Sequence, residues 1–169
     1  LNRSYSQEGE DLILARYFEG GTPGFFVDIG AHHPVRFSNT YRFYLQGWRG
    51  INVDAMPGAM KLFREKRPED ISIERGVGER EEVLLYHCFN EPALNTFDPK
   101  HAAKFESLPD FHVKEVVEVK VTSLRNILAE YLPSGREIDF LSVDVEGLDL
   151  AVLRSNDWNR FRPKLVVFE

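Results

Sequence analysis

Short apolar runs alternate along this chain with stretches in which apolar residues recur every three or four positions, and that alternation restricts the fold more than any other feature. Residues 25–29, 50–55, 71–77, 138–145 and 164–168 read as buried strands, bounded by glycine, proline or acidic residues. Between them lie helical patterns. The first, over residues 6–19, opens with Ser4 and Gln7 at capping-box spacing and turns Ile13, Leu14, Tyr17 and Phe18 inward. The second follows a Ser38 cap, carries Phe37, Tyr41, Tyr44, Leu45 and Trp48 on one face, and stops at Gly47. A third starts near Pro57 with Met60 and Phe63 inward. A fourth is capped by Ser123 and buries Leu124, Ile127, Leu128 and Tyr131, and a short fifth over 147–155 packs Val152 and Leu153. Residues 82–89 and 113–121 add two further strands, separated by a polar loop over 91–109.

Strands joined through helices need crossover connections, so the expected fold is α/β: a doubly wound, mostly parallel sheet with helices on both faces. No repeat, low-complexity tract or linker divides the chain, and residues 1–169 read as one domain. Leu1 in place of a methionine, and Glu169 in the middle of an apolar run, mark it as a piece with further chain at its ends.

Ligands in such sheets sit at the carboxyl ends of the strands. Position alone therefore picks out Asp28, Gly30, His32 and His33 after the first strand, Asp54 after the second, and Gly76 and Gly78 after the third. Asp144 and Glu146 follow the fourth, and Glu169 lies on the fifth. The rim is acidic, as is the chain, with 21 Lys+Arg against 27 Asp+Glu and a net charge of −6. That balance disfavours a nucleic-acid backbone as the main partner, because phosphate binding needs a surplus of cations. The one cysteine, Cys88, excludes a disulfide framework or multi-Cys zinc site and favours a reducing, cytoplasmic setting. No apolar run approaches the roughly 18 residues that span a bilayer, and the amino terminus carries no targeting pattern. Small-molecule chemistry remains.

The turn Val27-Asp28-Ile29-Gly30-Ala31-His32-His33-Pro34 holds one glycine, where a dinucleotide fingerprint wants three to admit a pyrophosphate. A carboxylate at Asp28 repels phosphate and welcomes an ammonium or sulfonium. Asp54 follows Gly30 by about 24 residues, near the spacing at which an acid accepts both hydroxyls of a ribose. A nucleoside carrying a cation fits both demands, and S-adenosylmethionine matches that description. The competing readings are a helix-cap carboxylate for Asp28 and an exposed turn acid for Asp54.

These residues resemble the FkbM-type methyltransferases, which are Rossmann-like class I enzymes dependent on S-adenosylmethionine. The resemblance rests on Ser6 to Asp11, on Val27 to Pro34 with Phe37 to Thr40, on Gly50 to Ala55 and on Glu91 to Phe97. Above all it rests on Asp139 to Leu153, with Asp144-Val145-Glu146-Gly147 at the centre. It implies that Asp28, Gly30 and Ala31, with Gln7 nearby, hold the methionine part of the donor and Asp54 the ribose. It further implies Ala55 and Met56 at the adenine face, Val77 at the adenine edge and Asp144 beside the sulfonium. A sugar, glycan precursor or similar hydroxylated metabolite is the implied acceptor, and a C-terminal β-hairpin beyond Glu169 the implied completion of the sheet. Without it the last strand presents an edge that a further segment or a second copy of the chain, in a homo-oligomer, would cover.

Methyl transfer to an alcohol needs a base to take the hydroxyl proton. Glu146, His32 and His33 are the candidates by position, with Asn39 and Asn95 available to orient the acceptor. A divalent ion on Asp144 and Glu169, as in some related O-methyltransferases, is a further option that this sequence does not itself require. His87, His101 and His112 receive no role. The competing functions are a catalytically silent cofactor-binding module and a nicotinamide-dependent oxidoreductase, the latter disfavoured by the missing glycines.

Overall fold

A computed structural model describes residues 3–168. In chain order they form α1 (Glu10–Tyr17), β1 (Phe25–Ile29), α2 (Tyr41–Leu45), β2 (Arg49–Asp54), α3 (Ala59–Lys66), β3 (Ile71–Glu74) and β4 (Gly76–Gly78). Then follow β5 (Glu82–Phe89), α4 (Pro99–Glu106), β6 (Val113–Ser123), α5 (Leu124–Tyr131), β7 (Phe140–Val143), α6 (Asp149–Arg154) and β8 (Leu165–Phe168). Five strands make a parallel sheet in the order β3-β2-β1-β7-β8, and three make a smaller sheet in the order β4-β6-β5.

β1 is buried along its whole length, and its period-2 alternation divides the core in two. Phe25, Val27 and Ile29 join Ile51, Val53, Leu141 and Val143 under Leu124, Ile127 and Leu128 of α5 and Val152 of α6. Phe26 faces the other way, against Leu14 of α1, Phe43 of α2, Trp48 and Phe140. Met60 and Phe63 of α3 are fully buried and pack with Ala31, at the exit of β1. Helices therefore cover both faces, as the alternation requires. Ser123 Oγ accepts from the Asn126 N–H at 3.2 Å and starts α5 where expected, a cap worth about 1 kcal/mol.

Four local expectations are corrected. α1 begins at Glu10, after Gly9 at φ 95°, with no side-chain cap. Ser4 donates instead to the buried Asp11 carboxylate at 2.6 Å, joined there by Ser6 Oγ, the Tyr5 N–H and Arg42, so satisfying a buried charge displaces the capping box. Of its expected inward face Leu14 is buried, while Ile13 and Tyr17 are exposed. α2 is one short turn whose inward residue is Phe43, with Phe37 and Leu45 exposed; Trp48 reaches the core because Gly47, at φ 89°, reverses the chain.

The run 71–77 is two strands. β3 stays in the large sheet, the Arg75 N–H donates to Asp54 O at 2.9 Å, and β4 crosses to pair with β6. The loop 91–109 contains a 3-10 turn at Pro92–Leu94 and the helix α4, which Asp98 caps through the Lys100 N–H with Pro99 in the first turn. Tyr86, Cys88 and Val119 on the inner side of the small sheet pack with Ala55, Met56 and Phe97. That packing closes the side of β2 from which the functional turns emerge.

Candidate functional site

At the carboxyl ends of β1, β2 and β7 lies a cavity of about 410 Å³, within the range of small-molecule sites. Gln7, Gly30, His32, Asp54, Ala55, Met56, Val77, Asn95, Asp144 and Glu146 all line it, although they come from six separate segments. Asp28, Ala31, His33 and Asn39 do not line it. Glu169 lies outside the described residues.

The turn after β1 uses its amides internally. Gly30 and Ala31 both donate to Val53 O, at 2.9 and 3.0 Å, and the His32 N–H donates to Asp54 Oδ2 at 2.8 Å. The His33 N–H is taken by Ala31 O, and His33 Nδ1 accepts from the Val35 and Arg36 amides. Amides that cradle a phosphate must point at it, and these four do not. The same bonds tie up the lone pair of His33 Nδ1, while Ala31 turns into the α3 core. Gly30 is required here, because at φ 80° an added Cβ would sit 1.7 Å from Asp144 O. That contact joins the exits of β1 and β7.

Asp54 is buried, with Oδ2 accepting from His32 and Oδ1 from the Met56 N–H at 2.8 Å. Burial raises its pKa above the ordinary carboxylate value, and the two amides act against that rise. An ionised carboxylate has about four lone-pair sites, so two remain for a ligand. Tyr86 lines the same cavity, where burial and then the charge of Asp54 push its hydroxyl well above a phenol's ordinary pKa. It therefore stays a neutral donor.

Asp28 shares the parity of Phe26 and so points away from α5 and α6. Thr40 Oγ1 donates to its Oδ2 at 2.8 Å, and Arg67 donates to that same Thr40 oxygen at 3.0 Å. Asn39 lies on this side too, bonded to Ser142 Oγ at 3.1 Å. Both belong to a polar layer on the Phe26 side of the sheet, Asp28 buried and Asn39 partly so.

Among the described residues three non-glycines adopt left-handed backbone, His32 (φ 53°), Phe37 (φ 54°) and Glu146 (φ 50°), and all three line the cavity. Each costs roughly 1 kcal/mol or more, and such strain concentrates where side chains are held for a task. His32 stacks on Phe37 with ring centroids 6.2 Å apart, and its buried Nε2 has no hydrogen-bond partner among the described residues. Burial, then the charges of Arg36 and His33, lowers its pKa, which favours the neutral ring at physiological pH.

Sequence reasoning missed Arg36, Phe37, Tyr86, Glu91, Phe97 and Phe111 as wall residues. Arg36 and Glu91 form a two-pronged ion pair across the mouth, at 3.2 and 3.3 Å, and the guanidinium lies 4.2 Å from the Phe37 ring centre. The alternation of 82–89 marked a strand, but nothing local said which of its residues would face inward or which part of the molecule they would meet.

Among the described residues no group of three or more His, Cys, Asp and Glu could hold a metal ion, and no helix is long and apolar enough to cross a membrane. The family model for the methyltransferase FkbM domain matches residues 28–169. The chain belongs to that family. This FkbM methyltransferase domain finds no match among curated proteins or solved structures. The matched region includes all of the parallel sheet except Phe25–Val27 and every cavity segment except that of Gln7, and the family's general activity is methyl transfer.

Proposed function

We propose that this cavity binds S-adenosylmethionine and that the domain moves its methyl group to a hydroxyl of a sugar, glycan precursor or related small metabolite. The observation that carries the reading is the charge and amide pattern of the wall. Asp54, Glu91, Asp144 and Glu146 outnumber Arg36 and Arg75 there, while the turn after β1 aims none of its first four amides outward. Such a wall repels a pyrophosphate and suits an adenosyl cation.

The residues present fit that group. Val53, Ala55, Met56 and Val77 supply an apolar slot for a purine, and the unused lone pairs of Asp54 suit a ribose diol. Gly30 and Asp144 border the place for the amino-acid tail and the charged centre, and the absence of a Cβ on Gly30 lets their backbones approach closely there. When bound, the donor supplies an electrophilic methyl carbon on a positively charged sulfur. Glu146 accepts the acceptor's hydroxyl proton as the new bond forms, and neutral His32 orients that hydroxyl through Nε2. Asn95, held by the Phe89 N–H at 2.8 Å and Met56 Sδ at 3.4 Å, fixes the adenine side of the slot.

Asp54→Ala is expected to weaken donor binding by about 1.5–3 kcal/mol, the range of a hydrogen bond to a charged group, with calorimetry as the readout. An unchanged dissociation constant would remove Asp54 from the ribose role. The function itself is tested with methyl-labelled S-adenosylmethionine and a panel of methyl glycosides, polyols, amino sugars and uronic acids, the last two carrying hydroxyls beside an amine or a carboxylate. The expected product is a methyl ether that survives mild alkali. Label on a carboxylate or a nitrogen, found with every acceptor class offered, would contradict hydroxyl transfer.

A further inference from the structure

The segment between β5 and β6 is remote in sequence from the turn after β7, yet its polar contacts converge on one residue of that turn. Thr96 Oγ1 donates to the backbone carbonyl of Glu146 at 2.7 Å. His101 Nδ1, from α4, lies 3.0 Å from the same oxygen. A carbonyl only accepts, so Nδ1 must carry the proton. The His101 ring also lies 3.8 Å from Glu146 Oε2, and 3.1 Å from where a Cβ on Gly147 would stand. The turn they grip is strained: Glu146 at φ 50° is followed by Gly147 at φ 97°.

The two ends of this turn are fixed by other means. The Asp144 N–H donates to Ile29 O at 2.9 Å, and the Val145 N–H to Asp149 Oδ1 at 3.2 Å. Neither contact sets the peptide after Glu146, which decides where the Glu146 Cα–Cβ bond points. Thr96 and His101 do set it, and Thr96 is itself fully buried and used again as acceptor for the Asp98 N–H at 3.0 Å, at the start of α4.

We infer that Thr96 and His101 are positioning residues, holding Glu146 in its left-handed conformation so that its carboxylate faces the acceptor side of the cavity. The segment 91–106 thereby acts as a brace for the catalytic turn. Two donors on one strained carbonyl keep the side chain within the narrow range that proton transfer tolerates, where a displacement of about 1 Å can lower the rate by about 10². The catalytic part of this inference rests on the reading of Glu146 as the base.

The test uses the full chain and replaces Thr96 by valine, which keeps the shape and removes the hydroxyl, and His101 by phenylalanine, alone and together. Backbone ¹⁵N relaxation is expected to give rigid values for Glu146 and Gly147 in the native chain, with an order parameter near about 0.85. It should fall toward about 0.6 in the double variant while β1 and β7 stay rigid. Thr96→Ser should restore the native value. With any acceptor that turns over in the panel above, Thr96→Val should lower kcat about tenfold or more and leave the donor dissociation constant within about twofold. Rigid Glu146 in the double variant, or loosening spread equally through β1 and β7, would overturn the inference. Glu146→Gln is measured alongside. Full turnover in that variant defeats the base reading alone, since the relaxation result still decides whether the brace exists.

Discussion

Replacing Arg67 by alanine is expected to lower stability by about 3–5 kcal/mol, because it strands buried carboxylates without their cation. Arg67 follows α3 and is wholly buried, as is the side chain of its partner Asp70, with Nη2–Oδ2 at 2.8 Å. Nη1 donates to Thr40 Oγ1, which donates in turn to Asp28 Oδ2, so one guanidinium serves two acids. The rings of Phe26, Tyr44 and Phe63 surround it, with centroids 5.2, 5.3 and 5.6 Å away. Burial raises the pKa of both Asp28 and Asp70, and the charge of Arg67 is among the influences that lower it. Removing that charge raises both further. A carboxyl raised in the fold binds more protons folded than unfolded, so stability falls as pH rises through the interval between the unfolded and folded values. The deficit of Arg67→Ala should therefore be larger near pH 7 than near pH 5, as read by urea unfolding at both. A deficit below about 1 kcal/mol, or one that grows in acid, would contradict this account of the layer.

Glu146→Gln is expected to lower turnover by about 10² or more while donor affinity changes little. Glutamine keeps the length of the side chain and both ends of the turn, since Thr96 and His101 grip the backbone carbonyl. What it loses is the ability to take a proton. The loss should appear in kcat and kcat/KM together, as for an interaction made in the transition state. His32 is the residue that would take over, with its depressed pKa and its Nε2 free of hydrogen bonds among the described residues. Turnover at the native level in Glu146→Gln, lost in His32→Ala, would transfer the role of base to the histidine.

Most of the fold was legible because β1, β7 and β8 are largely apolar on both faces and the helices α3 and α5 carry a clear inward stripe. β1 and β5 begin and end where the sequence places them, and Met60, Phe63, Leu124, Ile127 and Leu128 are all buried. Two of the failures share one physical cause: a tertiary partner outweighed a local pattern. Asp11 drew Ser4 away from the helix start, and β6 drew Gly76–Gly78 out of the large sheet. Helix α4 was hidden because its short sequence, Pro-Lys-His-Ala-Ala-Lys-Phe-Glu, buries Ala102 alone and is marked mainly by the Asp98-Pro99 start.

The site divided in the same way. Strand ends gave Gly30, Asp54, Asp144 and Glu146, because in a parallel sheet position along the chain already fixes position at the rim. Asp28 lies one pleat too early. The alternation of Phe25, Val27 and Ile29 against Phe26 places it on the far face, a parity argument available from the sequence itself. Arg36, Glu91, Thr96 and His101 depend on where the small sheet docks, which no local pattern encodes.

The claim beneath these expectations is that the acidic crevice at the strand ends receives an adenosyl sulfonium. Titration calorimetry of the native chain with S-adenosylmethionine and, in parallel, with NAD tests it most directly. The account predicts one-to-one binding of S-adenosylmethionine and no saturable heat with NAD. Saturable binding of NAD with none of S-adenosylmethionine would contradict it.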